Sequence, residues 1–349
     1  MSDYRSRLSN IELLRLVSML LVLVTHAFGV ALGNPTKIDF QLSPFSASFR
    51  VLMESLSVVC VNVFVLISGW FGIKPSVKGL TGFLFQCLFF SVGVTIIASL
   101  LGIGAPLGVG DIGKMFFFGK YYYWFVKCYI CLYILAPALN AFIETSDKRV
   151  VCMVIICLLL MQTVYGWTGV MADFDRGFSV MSFVILYTLA RYIRLYGGKA
   201  ISLNKWIDLL IYLGLSVALA AVYIFAVNYD IPPIASHLFV FINPIVIISS
   251  VYLFLFFSKL DVQSDVTNYL SRSAFAVYLF HMNTKIWDRY LDDCYKAFTT
   301  GEGIKGIMLV FCFLLAVYVV SILIDQVRLL CWKPLGRKLD KALLKSNDS

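Results

Sequence analysis

Charge is what this sequence has least of. Of its 349 residues, 29 are Lys or Arg and 20 are Asp or Glu, so 14% are charged while 60% are hydrophobic. A soluble domain of that size carries roughly a quarter of its residues charged, so the composition excludes one and points to an integral membrane protein. Short alternating segments are missing too, and with them the outer-membrane barrel. The apolar runs are instead long, as bilayer-spanning helices require. A disulfide framework is also absent: eight of the nine cysteines fall inside or at the ends of apolar runs and read as small buried hydrophobes. Cys128 and Cys131 have metal-ligand spacing but no second ligand pair, so no metal is expected. The net charge of +9 is not gathered on a soluble face, so no nucleic-acid partner is expected either.

What is present is a series of apolar segments. Polar, Gly and Pro breaks predict ten helices, at about 9–32, 47–72, 79–104, 114–143, 149–167, 178–196, 205–228, 236–258, 268–288 and 305–331. The fourth is long enough that a tilted or partly interfacial course is expected. With the N-terminus inside, the inner segments and C-terminal end hold eighteen Lys and Arg and the outer segments nine, including Lys120 outside and Arg5 and Arg7 inside. That bias fits N-in and C-in with an even number of spans. The expected fold is therefore all-α: a polytopic transmembrane bundle of about ten helices, one membrane-embedded domain over 1–349 with no soluble domain appended. The run after Arg7 is too long for the apolar part of a cleavable signal. GWTGVMADFDRG (166–177) and DRYLDDCYKAFTTGEG (288–303) are expected as solvated connectors, and aromatic residues such as Tyr121, Tyr122 and Tyr123 as an interfacial belt.

The first helix, ELLRLVSMLLVLVTHA over 12–27, carries three ionisable residues in an apolar run. Arg15 and His26 are eleven residues apart, which places them about 20° apart around a helix and about 16 Å apart along it. Glu12, three residues before Arg15, falls near the same line. Lipid makes such groups expensive, so the stripe must face the bundle interior or a water-filled cavity. Glu12 with Arg15 could be a buried ion pair. His26 is the side chain best suited to take a proton from a hydroxyl near neutral pH.

Arg15, ten intervening residues and His26 resemble the signature of the acyltransferase-3 family of membrane acyltransferases, which modify bacterial surface glycans. Other stretches are similar in the family's order: FVLISGW (64–70), YYYWFVKCYICLYILAPALN (121–140) and SRSAFAVYLFHMN (271–283). The family often has Asp where Glu12 stands. Where many members carry an Arg-rich inner stretch after the second helix, this chain has Lys74 and Lys78.

The resemblance implies a multi-pass protein of the bacterial plasma membrane that moves an acyl group, acetyl above all, from cytoplasmic acyl-CoA to a hydroxyl of a cell-surface or lipid-linked glycan. His26 would be the general base or, less simply, an acyl carrier, and Glu12 would complete the catalytic set by fixing Arg15. Arg15, Lys74, Lys78 and Lys127 would meet the donor, and Ser68, Trp124 and His281 the substrate. Lys127 also admits a structural reading, paired or lying on an aromatic face. The alternatives are a secondary transporter or a glycan flippase or polymerase. Carriers usually show two related halves, and polymerases tend to carry a large outer loop; neither is seen here.

Overall fold

The computed structural model describes residues 8–119, 122–171, 174, 176–301 and 303–347. Arg5, Arg7, Lys120 and Tyr121 of the sequence reading lie outside the described residues, as do Ala172, Asp173 and Asp175 of the 166–177 connector. The described chain is helical, and seven helices are long and apolar enough to cross a membrane. They are α1 (Ser9–Ala31), α2 (Pro44–Phe71), α3 (Val77–Leu100), α4 (Trp124–Thr145), α5 (Lys148–Thr168), α7 (Lys205–Asn228) and α11 (Gly303–Asn347). Between them lie α6 (Val180–Tyr196), α8 (Pro244–Ser258), α9 (Ala274–His281) and α10 (Trp287–Gly301). The ten predicted spans are thus present as seven long helices and three shorter ones, α6, α8 and the broken 265–281 segment.

Three of the differences from expectation have a clear local reason. The predicted helix 114–143 is interrupted: a short helix ends at Met115, Phe117 and Tyr123 adopt left-handed backbone (φ 69° and 52°), and α4 starts at Trp124. The buried Tyr123 ring explains the break, because its hydroxyl donates to the Leu279 carbonyl at 3.0 Å and holds the turn against α9. The predicted ninth span breaks into Asp265–Leu270, a 3₁₀ turn at Ser271–Ser273 and the eight-residue α9. The connector 288–303 is not an irregular loop but the amphipathic α10. It buries Tyr290 and Cys294 at i and i+4, while Arg289 and Asp293 pair at 2.7 Å on the polar face.

α1 is the centre of the bundle, packed against α2, α8, α9 and α11. Tyrosines hold its backbone: the buried Tyr290 donates to the Leu23 carbonyl at 2.8 Å and the half-buried Tyr318 to the Leu16 carbonyl at 2.9 Å. The Ser-Gly-Trp end of α2 has a packing cause. A Cβ on Gly69 would fall 2.3 Å from the Tyr187 carbonyl oxygen, so glycine lets α2 and α6 approach backbone to backbone. Asn140 of α4 holds the turn after α2, donating to the Ile73 carbonyl at 3.1 Å and accepting from Tyr187 at 2.8 Å.

Candidate active site

α1 changes its winding where its ionisable stripe ends. From His26 to Ala31 the backbone is a π-helix, a form that concentrates at functional sites. The carbonyls of Leu32 and Gly33 just past it are taken by Arg50 of α2, whose Nη2 donates to them at 2.5 and 2.6 Å. A guanidinium at a helix C-terminus satisfies its orphan carbonyls and complements its dipole.

Two cavities lie along α1. The first, about 270 Å³, is lined by His26, Gly29, Glu54, Trp124, Arg176 and further apolar residues. The second, about 200 Å³, is lined by Arg15, Ser68, Gln86 and Tyr129 among others. Phe64, Phe125 and Phe275 line both. Phe125 touches the other two rings, with centroids 6.3 Å from Phe64 and 5.9 Å from Phe275. The chambers therefore meet across one layer of phenyl rings, with Arg15 on one side and His26 on the other.

The tautomer of His26 follows from its neighbours. His281 Nδ1 lies 2.6 Å from the Val277 carbonyl, which can only accept, so His281 carries its proton on Nδ1. In the neutral ring its Nε2 is then an acceptor, 2.8 Å from His26 Nδ1. His26 donates there, leaving its own Nε2 as a bare lone pair. That atom makes no hydrogen bond among the described residues, and His26 lines the first chamber. Trp287 packs edge-on against the imidazole at 5.1 Å and fixes its plane. A chain of carbonyl, imidazole and imidazole thus presents a base of one defined tautomer to a cavity.

Facing the same chamber is Glu54, 5% exposed. Its Oε2 is buried without a hydrogen-bond partner, and no ion pair reaches the carboxyl among the described residues. The carboxyl packs on Gly29, where a Cβ would sit 2.5 Å from it. Arg50, four residues earlier on α2, would be the natural partner, but its guanidinium is engaged by the end of α1.

The sequence-derived site residues divide between these places. Arg15 and Ser68 line the second chamber, where Arg15 pairs with Glu12 at 2.7 Å. Ser68 is 3.3 Å from the Tyr129 hydroxyl, so it stands on the Arg15 side of the phenyl layer rather than beside His26. Glu12 supports Arg15 and does not reach the His26 chamber. Trp124 lines the His26 chamber, its ring parallel to Phe241 and edge-on to Phe178. His281 lines neither chamber: it is fully buried and hydrogen-bonded to His26. Lys127 donates to the Gly119 carbonyl at 2.6 Å, away from both chambers, which favours its structural reading. Lys74 is exposed on the turn after α2, and Lys78 is paired with Asp340 at 2.8 Å. The sequence reading passed over Glu54, although an acid in the middle of an apolar span was a visible signal.

Outside the membrane-crossing helices, Asp39 of the short helix Lys37–Leu42 accepts from the Thr36 backbone N–H at 2.7 Å and lies 3.6 Å from Arg50. These contacts, the Thr36 hydrogen bond above all, hold its carboxyl below the ordinary value of 3.8.

No curated protein and no solved structure matches the chain. The sequence profile of the acyltransferase-3 family, described as an acyltransferase domain, matches residues 8–326. That match takes in α1 with Arg15 and His26, both chambers and the His281 support, and on it the chain belongs to the acyltransferase-3 family.

Proposed function

We propose that the protein transfers an acyl group, acetyl above all, from cytoplasmic acyl-CoA to a hydroxyl of a cell-surface or lipid-linked glycan in the bacterial plasma membrane. The observation that carries this reading is the bare Nε2 of His26 in a chamber separated only by phenyl rings from a second chamber lined by arginine. With the N-terminus inside, as the Lys and Arg bias supports, the Arg15 chamber is on the cytoplasmic side and takes the donor. The His26 chamber takes the acceptor. Arg15, oriented by Glu12, offers charged donors to the polar part of the donor, while the slender pantetheine arm suits passage between the rings.

The acceptor hydroxyl gives its proton to His26 Nε2 as its oxygen attacks the thioester carbonyl carbon. The carbon–sulfur bond then breaks, and the CoA thiolate takes the proton back from His26, giving ester and CoA–SH. While His26 is doubly protonated, its Nδ1–H stays on His281 Nε2, which keeps the ring in place through the cycle.

The test is acyl transfer by purified protein in nanodiscs, with labelled acetyl-CoA and a crude surface-glycan acceptor, comparing wild type with His26→Ala. Activity is expected in the wild type and a loss of 10²-fold or more in the variant. Folded wild-type protein that consumes no acyl-CoA would refute acyl transfer, and full activity in His26→Ala would remove His26 from the mechanism.

A further inference from the structure

Glu54 is not used by the chemistry just described. It is more than nine-tenths buried, its Oε2 has no hydrogen-bond partner, and it faces the His26 chamber. Leaving a buried carboxyl unpartnered is costly in general, more so than most surface interactions can offset. Three features show that the arrangement is built rather than accidental. Arg50, one turn away on the same helix, is committed to the carbonyls of Leu32 and Gly33 and is held on its far side by Asp39. Gly29, three residues past His26, leaves the space the carboxyl occupies, and any side chain there would displace it. His26 and Gly29, both on the π-helical stretch, line the same cavity as the carboxyl. A proton acceptor and a carboxyl are therefore both presented to one small volume.

The cavity lining is also rich in aromatic side chains. Trp124 and Phe241 lie near parallel, 24° apart with centroids 6.0 Å apart, and Phe178 packs edge-on to Trp124 at 4.6 Å. A flat apolar surface in one cavity with hydrogen-bonding groups suits a pyranose ring, which has apolar faces and a hydroxylated rim. The volume, about 270 Å³, suits one ring rather than an extended oligosaccharide. Whichever protonation state Glu54 holds, a sugar hydroxyl can complement it, because a hydroxyl both donates and accepts.

We infer that Glu54 is the acceptor-positioning residue: its carboxyl binds a hydroxyl neighbouring the one that reacts, so that the reacting hydroxyl faces His26 Nε2, and the acceptor is a pyranose held against Trp124. This rests on reading the His26 chamber as the acceptor side. The consequence is regioselectivity. An acceptor with its neighbouring hydroxyl methylated leaves Glu54 unpartnered again and is rejected, since a site built to hydrogen-bond a hydroxyl discriminates strongly against its absence.

The experiment uses full-length protein in nanodiscs and saturation-transfer NMR with methyl glucopyranoside, galactopyranoside, mannopyranoside and rhamnopyranoside as probes. At least one is expected to bind the wild type. Glu54→Met is expected to weaken that binding at least tenfold, Glu54→Gln less, and Gly29→Ala to resemble Glu54→Met because it dislodges the carboxyl without removing it. Thermal unfolding separates binding from structure: with no partner to orphan, Glu54→Met is expected to unfold at the same or a higher temperature. Binding unchanged in Glu54→Met, no pyranoside binding to wild type, or a lower unfolding temperature in Glu54→Met would each overturn the assignment. Acetyl-CoA consumption is followed in parallel. Pyranoside binding that depends on Glu54 without any consumption would keep this site and refute acyl transfer. Consumption with pyranoside binding indifferent to Glu54 would do the reverse.

Discussion

The Arg15 chamber and the His26 chamber share three phenyl rings and little else. In the first, the charged group already has its counter-ion: Glu12 sits on Arg15 at 2.7 Å, and the guanidinium side chain is still 35% exposed. In the second, the groups are left incomplete, with a bare imidazole nitrogen and a carboxyl oxygen that meets nothing. A paired charge holds a ligand by position and can wait in water. An unpartnered polar group in a buried site is a demand that only a particular ligand meets. On the proposed function, the Arg15 chamber serves binding and the His26 chamber selection and chemistry, and substitutions on the two sides should separate accordingly.

The largest effect is expected behind His26. His281→Phe keeps the bulk but removes the acceptor that fixes the His26 tautomer, so kcat should fall by about 10²-fold with little change in the donor KM. His281→Asn, which can still accept from Nδ1–H, should recover part of it; steady-state kinetics on both variants decide. On the other side of the rings, Arg15→Lys retains the charge but loses the planar fork, and the donor KM should rise about tenfold with a smaller change in kcat. The same assay on Lys78→Ala should return the wild-type donor KM, since Lys78 is held by Asp340 on the surface. If the two chambers respond alike, the comparison fails.

A smaller effect comes from the layer between them. Phe125→Leu thins the partition and should raise acyl-CoA hydrolysis relative to transfer a few-fold, because water gains access to the thioester. The product ratio, measured with and without acceptor, checks this. The smallest is at Asp39, outside the membrane-crossing helices. The Asp39 carboxyl is held below 3.8, so its contribution to stability is complete above that pH and is lost as the pH falls through the lower folded value. Asp39→Asn should therefore unfold at a slightly lower temperature than wild type at pH 5, and the gap should close on acidification below about 3.8. A gap that widens in acid would mean that Asp39 does not stabilise through its charge.

The helical fold and the Arg15–His26 stripe were legible because both depend on periodicity along one segment. The pairing of His26 with His281 was not, since those residues are 255 positions apart and only tertiary packing brings them together. Glu54 was visible as an acid in an apolar run, but its lack of a partner was not, because that depends on where Arg50 turns. Trp287–Gly301 read as a connector because its polar face dominates the composition, while only three of its fifteen residues are buried. The interruption before Trp124 escaped notice for a related reason: bulky residues carry no sequence signal for the left-handed backbone that Phe117 and Tyr123 adopt.

The phenyl layer has one more consequence, for the membrane itself. Two cavities that meet within a bundle are one side-chain layer away from being a pore, and a leak of protons or ions would dissipate the potential that the membrane maintains. Moving one elementary charge across 100 mV is worth about 2.3 kcal/mol, a standing force on any ion that enters either cavity. Phe64, Phe125 and Phe275 offer such an ion no oxygen or nitrogen to replace its hydration shell. Rings of this kind hold ions back by excluding water rather than by closing sterically. The same three side chains can then yield to a thin uncharged arm while remaining an insulator.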